Sequence, residues 1–237
     1  MTGVLSVLLV LACAALWHLW RRQVALRREA WIRSFQFPQG LFDRVRRTYP
    51  HLSLKDCQLV AQGLRQFFLA HLKSRRAYVS MPSQVADALW HEFILSTRQY
   101  HVFCGKAFGR FLHHTPAVAL QGGQRQSNAG LRRCFWYACL EEQINPRAPR
   151  RLPLLFALDA KLAVPDGYRY VADCSEVRRE GDATTHCGAE LSGESSDGGP
   201  GSDGDGGTAD GGGDGGDGGG DGGSGCGGGG CGGGGGD

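Results

Sequence analysis

The chain has 237 residues, enough for one or two domains on length alone, and its net charge of +3 is a cancellation between two unlike regions. Residues 1–180 hold all 26 basic side chains and 12 of the 23 acidic ones, whereas residues 181–237 carry the other 11 acidic side chains and 29 of the 38 glycines. Because such a glycine-rich stretch cannot bury enough apolar surface to offset chain entropy, the composition excludes a second folded domain in this tail.

The first predicted element is an apolar run, Val4–Trp20, that is followed at once by two arginines. A helix of this length rises roughly 25 Å, about the thickness of a thin bilayer. Trp17 and Trp20 suit the membrane interface, where an amphipathic ring is stable. Because the run ends in bulky and basic residues rather than small ones, it predicts an uncleaved transmembrane anchor over residues 1–21. A cleaved or lipidated leader and a buried helix are the alternatives.

Basic residues flank this anchor on its carboxyl side only. Five arginines lie between residues 21 and 33, and they predict a basic juxtamembrane helix over residues 22–35. By the positive-inside rule, this asymmetry predicts a single pass through the cell membrane, the inner membrane in a bacterium, with the rest of the chain in the cytoplasm. The same arginines suit anionic lipid headgroups, although they serve equally well to set topology alone.

Residues 36–180 are predicted to form a small helical bundle, and the fold class is all-α. A break at Phe37–Gly40 ends the basic helix, and apolar residues then recur at three- and four-residue intervals. A short helix is predicted from Leu41 to Pro50, and a long one follows an N-cap at Ser53. A third helix carries an apolar stripe from Val85 to Thr97, with Pro82 in its first turn, and a fourth spans Asn128–Ile144.

Residues 153–173 fit two kinds of structure. Leu154–Leu162 fits one more helix, and Gly167–Val171 fits a short extended piece. Cys57 and His71 both fall on the buried stripe of the helix after Ser53, so we interpret them as core residues. No segment shows the sustained period-two alternation of a half-buried strand, and this absence favours the all-α class.

The stretch from Asp87 to Arg110 is the most distinctive part of the chain, with an acid, an imidazole, a phenol and a thiol in an aromatic-rich region. Asp87 and His91 are four residues apart, so on a helix they stack and can form a hydrogen bond. A carboxylate on one imidazole nitrogen fixes the tautomer and leaves the other nitrogen for a metal, a substrate or a carbonyl. Arg98 is expected to project beside this pair.

Two chemical interpretations and one structural interpretation of this stretch stay open. His91, Cys104 and His113 or His114 are the candidate zinc ligands, although their spacing lacks the short paired intervals typical of zinc sites. Alternatively, Cys104 and a histidine form a thiolate nucleophile pair. In the structural interpretation, an aromatic core is formed by Trp90, Tyr100, Phe103, Phe108 and Phe111. Asp87, His91 and Arg98 then satisfy one another at its rim.

Eight residues of this stretch follow a recognisable order: Asp87, Trp90, His91, Tyr100, Cys104, Phe108, Gly109 and Arg110. The order resembles that of the glycine-rich domain-containing proteins of plants and their small bacterial relatives. The resemblance is strongest within the stretch itself and looser over residues 36–145. It implies a helical domain followed by glycine-rich sequence. Six of these positions are candidate binding residues: Asp87, Trp90, His91, Tyr100, Cys104 and Arg110. Because that family has no settled biochemical activity, the resemblance implies no reaction.

The tail, residues 181–237, is predicted to be a disordered, flexible coil. Its Gly-Gly-x-Asp pattern lacks the large apolar residue that calcium-binding β-roll repeats need in order to pack. Cys226 and Cys231 can bind a soft metal or form a small disulfide loop, but no rigid scaffold surrounds them, so we interpret them as incidental.

Together these features predict a membrane-anchored, cytoplasmic binding or scaffold module with an unidentified protein partner. No robust catalytic turnover and no cofactor are predicted. A nucleic-acid partner is not predicted either, because the aromatic residues lie at core spacing rather than interleaved with basic residues. The alternative is a metal- or thiol-dependent enzyme that uses His91, Cys104 and His113 or His114, with zinc as its cofactor.

Overall fold

The structure is a computed structural model that describes residues 2–75, 77–114, 123–165, 167–172, 186–187 and 191, all within one unit spanning residues 1–197. Apart from residues 186, 187 and 191, the predicted disordered tail and its two cysteines lie outside the described residues. The described part of the chain is mostly helical, as predicted. Its helices are α1 (Thr2–Ser34), α2 (Gln39–Thr48), α3 (Leu54–Lys73), α4 (Gln84–Leu95), α5 (Thr97–Phe108), α6 (Gly123–Glu141) and α7 (Leu154–Lys161).

Helix α3 lies at the centre and contacts α1, α2, α4, α6 and α7. Its start was predicted correctly: Ser53 Oγ accepts a hydrogen bond from the Asp56 amide at 3.2 Å, and Asp56 accepts one from the Ser53 amide at 2.8 Å. This capping box satisfies N–H groups that the first turn leaves without helical partners. Cys57 is buried in the core as predicted. His71 is only partly buried, so its prediction as a core residue holds in part: its ring lies edge-on against Phe108, with 5.2 Å between centroids, and burial lowers its pKa to about 4.

The start of α4 differs from the prediction. Pro82 lies before the helix rather than in its first turn, and Ser83 is the N-cap. Asp159 of α7 also caps this helix start: its carboxylate accepts hydrogen bonds from the Ser83 hydroxyl at 2.7 Å and from the Gln84 amide at 2.8 Å. It also accepts hydrogen bonds from the backbone amides of Val85 and Tyr168, at 3.3 Å and 3.0 Å. A buried carboxylate from a distant part of the sequence therefore fixes where α4 begins.

The predicted stripe from Val85 to Thr97 is wrong at its carboxyl end, because α4 stops at Leu95 and Thr97 begins α5. Ser96 between them has a non-helical backbone, which separates the two helices. Arg98 consequently belongs to α5, where it is exposed, so the predicted grouping of Asp87, His91 and Arg98 on one helix is wrong.

Helix α6 also has different bounds from the predicted Asn128–Ile144, since it spans Gly123–Glu141. It ends in a Schellman motif: the Ile144 amide donates to the Cys139 carbonyl at 2.8 Å, and the Gln143 amide donates to the Leu140 carbonyl at 3.2 Å. Gln143 adopts the left-handed conformation, with φ of 57°, a position that glycine usually fills.

Extended structure is confined, among the described residues, to two short strands. β1 (Tyr170–Val171) falls within the predicted extended piece and pairs in parallel with β2 (His186–Cys187). The all-α prediction therefore becomes a mostly helical fold with one small parallel pair. Leu154–Lys161 confirms the predicted helix before this strand.

An aromatic core joins the end of α1 to α3, α4 and α5. The ring of Phe103 lies at its centre, with centroid distances of 4.7 Å to Phe35, 4.9 Å to Phe68 and 5.3 Å to Phe93. Trp90, Tyr100, Phe103 and Phe108 are all buried, as the structural interpretation of this stretch predicts. Phe111 is the exception, since 39% of its surface is exposed.

Helix α1 combines the predicted anchor and the basic helix in one continuous element. Among the described residues, one helical stretch, Ser6–Ser34, is long and apolar enough to cross a membrane, with a mean hydropathy of 1.2 and none of its most apolar window buried. A signal sequence meets the same criterion. The last turns of α1 pack on the body, where Ile32 is fully buried and Arg33 donates two hydrogen bonds to Glu141 at 2.8 Å.

Candidate metal centre

Three side chains from the distinctive stretch and the segment after it lie together at one edge of α4: Asp87, His91 and His114. Asp87 lies between two imidazoles, with 3.4 Å from its Oδ2 to Nδ1 of His91 and 3.1 Å from its Oδ1 to Nε2 of His114. One ligand atom from each of the three residues lies within 4.8 Å of the others. The two imidazole rings are 4.4 Å apart between centroids. The group therefore places two imidazole nitrogens and one carboxylate close enough together to bind one ion, and without an ion His114 and Asp87 share a hydrogen bond.

Helix geometry places two of the three ligands. Asp87 and His91 are one turn apart on α4, so their side chains stack as the four-residue spacing predicts. Asp87 lies in the first turn of α4, where the positive end of the helix dipole favours a carboxylate. The side chain of His91 is 52% exposed, so an ion can reach the group from solvent.

The third ligand arrives from the segment after α5, which folds back over α4. Gly109 ends α5 in the left-handed conformation, with φ of 71°. Tyr100 then holds the returning segment by donating its hydroxyl hydrogen to the Leu112 carbonyl at 2.6 Å, and it accepts a hydrogen bond from the Trp90 indole at 3.1 Å. His114 rests edge-on against the Trp90 ring, with 4.6 Å between centroids. These buried contacts fix the ring of His114 beside Asp87.

The separations within the group fit a metal ion. Zinc binds imidazole nitrogen and carboxylate oxygen at about 2.0–2.2 Å, so neighbouring ligand atoms of a tetrahedral site lie roughly 3.4 Å apart. The distances from Asp87 to the two histidines, 3.4 Å and 3.1 Å, are already close to this value. Three protein ligands leave a fourth position for water or for a group from another molecule.

Cys104 and His113 are not part of this group in the described residues. Cys104 is fully buried beside Tyr100, and desolvation raises the pKa of its thiol. Because the thiolate is the reactive and ligating form, this environment favours neither a thiolate nucleophile nor a thiolate ligand. His113 is exposed, and its ring is tilted by 56° against that of Phe111, with 4.8 Å between centroids.

The other residues of the stretch support the site rather than line it. Trp90 and Tyr100 are buried, and burial raises the pKa of Tyr100, so its hydroxyl stays protonated and can donate to Leu112. Arg110 is exposed at the turn after α5, near His71. Among the predicted ligands, the structure therefore brings together His91 and His114. It adds Asp87, which the sequence predicted as a candidate binding residue and as the partner that orients His91, but not as a metal ligand.

One comparison with known proteins identifies a family. A family model described as UCP032817-like matches residues 27–191, which is more than half of the chain. No curated protein and no solved structure matches the chain. The resemblance to the glycine-rich domain-containing proteins is therefore wrong as an assignment, because the match indicates the UCP032817-like family and no glycine-rich domain family.

Proposed function

The chain belongs to the UCP032817-like family, and we propose that this member is a membrane-anchored helical module that binds one divalent transition-metal ion through Asp87, His91 and His114. The observation that carries the proposal is the convergence of three ligand atoms within 4.8 Å. Two imidazoles and one carboxylate form a donor set that suits zinc and its first-row neighbours better than calcium or magnesium.

The open side of the group favours a binding role. His91 is about half exposed, whereas His114 is mostly covered by Trp90, so an ion held here has one solvent-facing position. A water molecule or a ligand group from a partner protein completes the coordination at that position. A metal-dependent contact with an unidentified protein partner therefore links the predicted scaffold role to this site.

Purified full-length protein in detergent is expected to bind about one zinc ion per chain, and His91→Ala is expected to weaken binding at least about tenfold, because one of three ligands is lost. Elemental analysis gives the stoichiometry, and titration with Co²⁺ reports tetrahedral coordination through its visible absorption. His91 is half exposed, so this variant should fold normally.

His113→Ala is the matched control, since His113 is an exposed neighbour of His114 that lies outside the group. We expect it to bind zinc as the unmodified chain does. Equal zinc affinity in the unmodified chain and in His91→Ala, or no zinc in either, would contradict the proposed site.

The membrane anchor is the second part of the proposal. It rests on the apolar window of α1, none of which is buried, and on the paired rings of Trp17 and Trp20, whose centroids are 5.2 Å apart. Exposed apolar surface of this extent is unfavourable in water and favourable in a bilayer. The arginines that follow, beginning at Arg21, favour a cytoplasmic side for the body by the positive-inside rule.

Full-length protein is expected to stay with membranes after extraction with alkaline carbonate, and a chain lacking residues 2–20 is expected to move to the soluble fraction. Removing residues 198–237 instead is the control and should leave the membrane fraction unchanged. Intact mass of the membrane-bound product separates an anchor from a signal sequence. A mature chain that lacks the apolar run would overturn this part of the proposal.

A further inference from the structure

A cavity separate from the candidate metal group lies where the α1–α2 connection, α2 and α3 meet. Its volume is about 510 Å³, and its walls combine amide, aromatic and guanidinium groups: Gln36, Phe37, Gln39, Phe42, Gln58 and Arg65. None of these residues belongs to the metal group described above. A cavity of this size can accommodate a small organic ligand.

Arg65 is the charged group of this cavity, and it is partly buried. Its Nε donates to the Phe35 carbonyl at 2.9 Å, and its guanidinium carbon lies 5.4 Å from the centre of the Phe37 ring. These contacts fix the orientation of the guanidinium group and leave its two terminal amino groups for other acceptors.

No carboxylate of the described chain lies within ion-pair distance of Arg65. Burial lowers the pKa of this guanidinium, and no neighbouring acid opposes the effect. A partly desolvated cation without a counter-ion is unfavourable, so an anion from outside the chain would stabilise it.

The uncharged groups of the cavity add hydrogen-bond donors. Gln36, Gln39 and Gln58 each carry a side-chain amide with two N–H donors. Gln39 is also the first residue of α2, whose N-cap residue, Pro38, provides no side-chain acceptor, so the positive end of that helix is uncapped. Together with the terminal amino groups of Arg65, these N–H groups can donate to the several oxygens of a phosphate group.

We propose that this cavity binds a phosphate group, held by Arg65 and the glutamine amides, with an apolar part of the same ligand against Phe37 and Phe42. The phosphate belongs either to a small soluble metabolite or to a lipid headgroup. Both sources share the same chemistry at the guanidinium.

Calorimetric titration of inorganic phosphate into the full-length protein in detergent tests the proposal. Metal is first removed with a chelator, so that phosphate cannot bind through an ion at His91. We expect saturable binding that weakens about tenfold or more in Arg65→Met, because the charge-assisted hydrogen bonds are lost. The matched control is Arg133→Met, because Arg133 also donates to a backbone carbonyl, that of Tyr78 at 2.7 Å, but does not line the cavity.

Gln58→Glu is a second test that retains Arg65. Residues 58 and 65 are two turns apart on α3 and line the same cavity, so the new carboxylate should pair with the guanidinium and exclude phosphate. This exposed substitution keeps the result interpretable if Arg65→Met fails to fold. Phosphate binding that is absent in the unmodified chain, or that is unchanged in Gln58→Glu, would overturn the proposal.

Mixed micelles that contain phosphatidic acid identify the source of the phosphate group. Displacement of inorganic phosphate by these micelles, but not by phosphatidylcholine micelles, assigns the cavity to an anionic lipid headgroup. Displacement by soluble glycerol phosphate alone assigns it to a small phosphorylated molecule. Either result supports the phosphate site.

Discussion

Replacing Asp159 with alanine is expected to lower the free energy of unfolding by about 3–5 kcal/mol, because one buried carboxylate serves several donors at once. Asp159 is 2% exposed and accepts hydrogen bonds from the hydroxyl of Ser83 and from three backbone amides, two of them in the first turn of α4. Its loss removes the acceptor that starts α4 and the link from α7 to that helix. Urea denaturation followed by circular dichroism measures the change.

Asp56→Ala provides the matched comparison. Asp56 also accepts a backbone amide at a helix start, but its acceptor role is local to α3 and open to solvent. Water can replace it, so the loss of stability should be clearly smaller than for Asp159→Ala. Asp159→Asn should give an intermediate loss, because one carbonyl oxygen remains and the new amide faces other donors. Equal losses at Asp56 and Asp159 would contradict the role of the buried cap.

Phe103→Ala is expected to lower the free energy of unfolding by about 3–5 kcal/mol, the usual cost of removing a fully buried aromatic ring. The Phe103 ring is 1% exposed and lies within 5.3 Å of Phe35, Phe68 and Phe93 between centroids, so it joins α1, α3, α4 and α5. The cavity left behind would be bordered by rigid rings that cannot easily collapse into it. The same denaturation assay reports the loss.

Phe111→Ala controls for removing an aromatic ring from the same region. Phe111 is 39% exposed, and its ring meets that of Tyr100 edge-on, with 5.2 Å between centroids. It therefore has less buried surface to lose than Phe103. Its substitution should cost about 1 kcal/mol or less. A loss at Phe111 as large as that at Phe103 would show that ring burial does not govern stability here.

Local sequence patterns predicted most of the helices and the cap of α3. Ser53 and Asp56 are three residues apart, so their mutual hydrogen bonds could be anticipated without any tertiary structure. The start of α4 could not be anticipated in this way, because its acceptor, Asp159, is more than seventy residues away. The end of α6 was missed because Gln143 occupies a left-handed position that sequence rules assign to glycine.

The candidate site was predictable only where its ligands share one helix. The four-residue spacing placed Asp87 beside His91, as the structure shows. The choice between His113 and His114 depends on how the chain turns back after Gly109, which the hydrogen bond from Tyr100 to Leu112 controls. Burial of Cys104 likewise depends on the packing of α5 against its neighbours.

The mistaken family resemblance has a related physical explanation. Trp90, Tyr100, Cys104 and Phe108 are buried, so their spacing reflects how α4 packs on α5. Gly109 is the left-handed cap of α5. Packing and turn requirements of this kind recur in helical proteins, so a short block of such residues is weaker evidence than a match over residues 27–191.

The unbroken course of α1 means that, in the proposed membrane-bound state, a rigid helix and not a flexible linker joins the body to the membrane-spanning segment. From Trp20 to Ser34 the helix climbs about 21 Å, which sets the height of the body above the lipid. Arg33, at the end of α1, donates a hydrogen bond to Glu141, and Lys73 donates one to the same carboxylate at 3.0 Å. These contacts fix the rotation of α1 relative to the body. One residue inserted below Arg33 would swing the body by about 100° and redirect whichever face it offers to a neighbour.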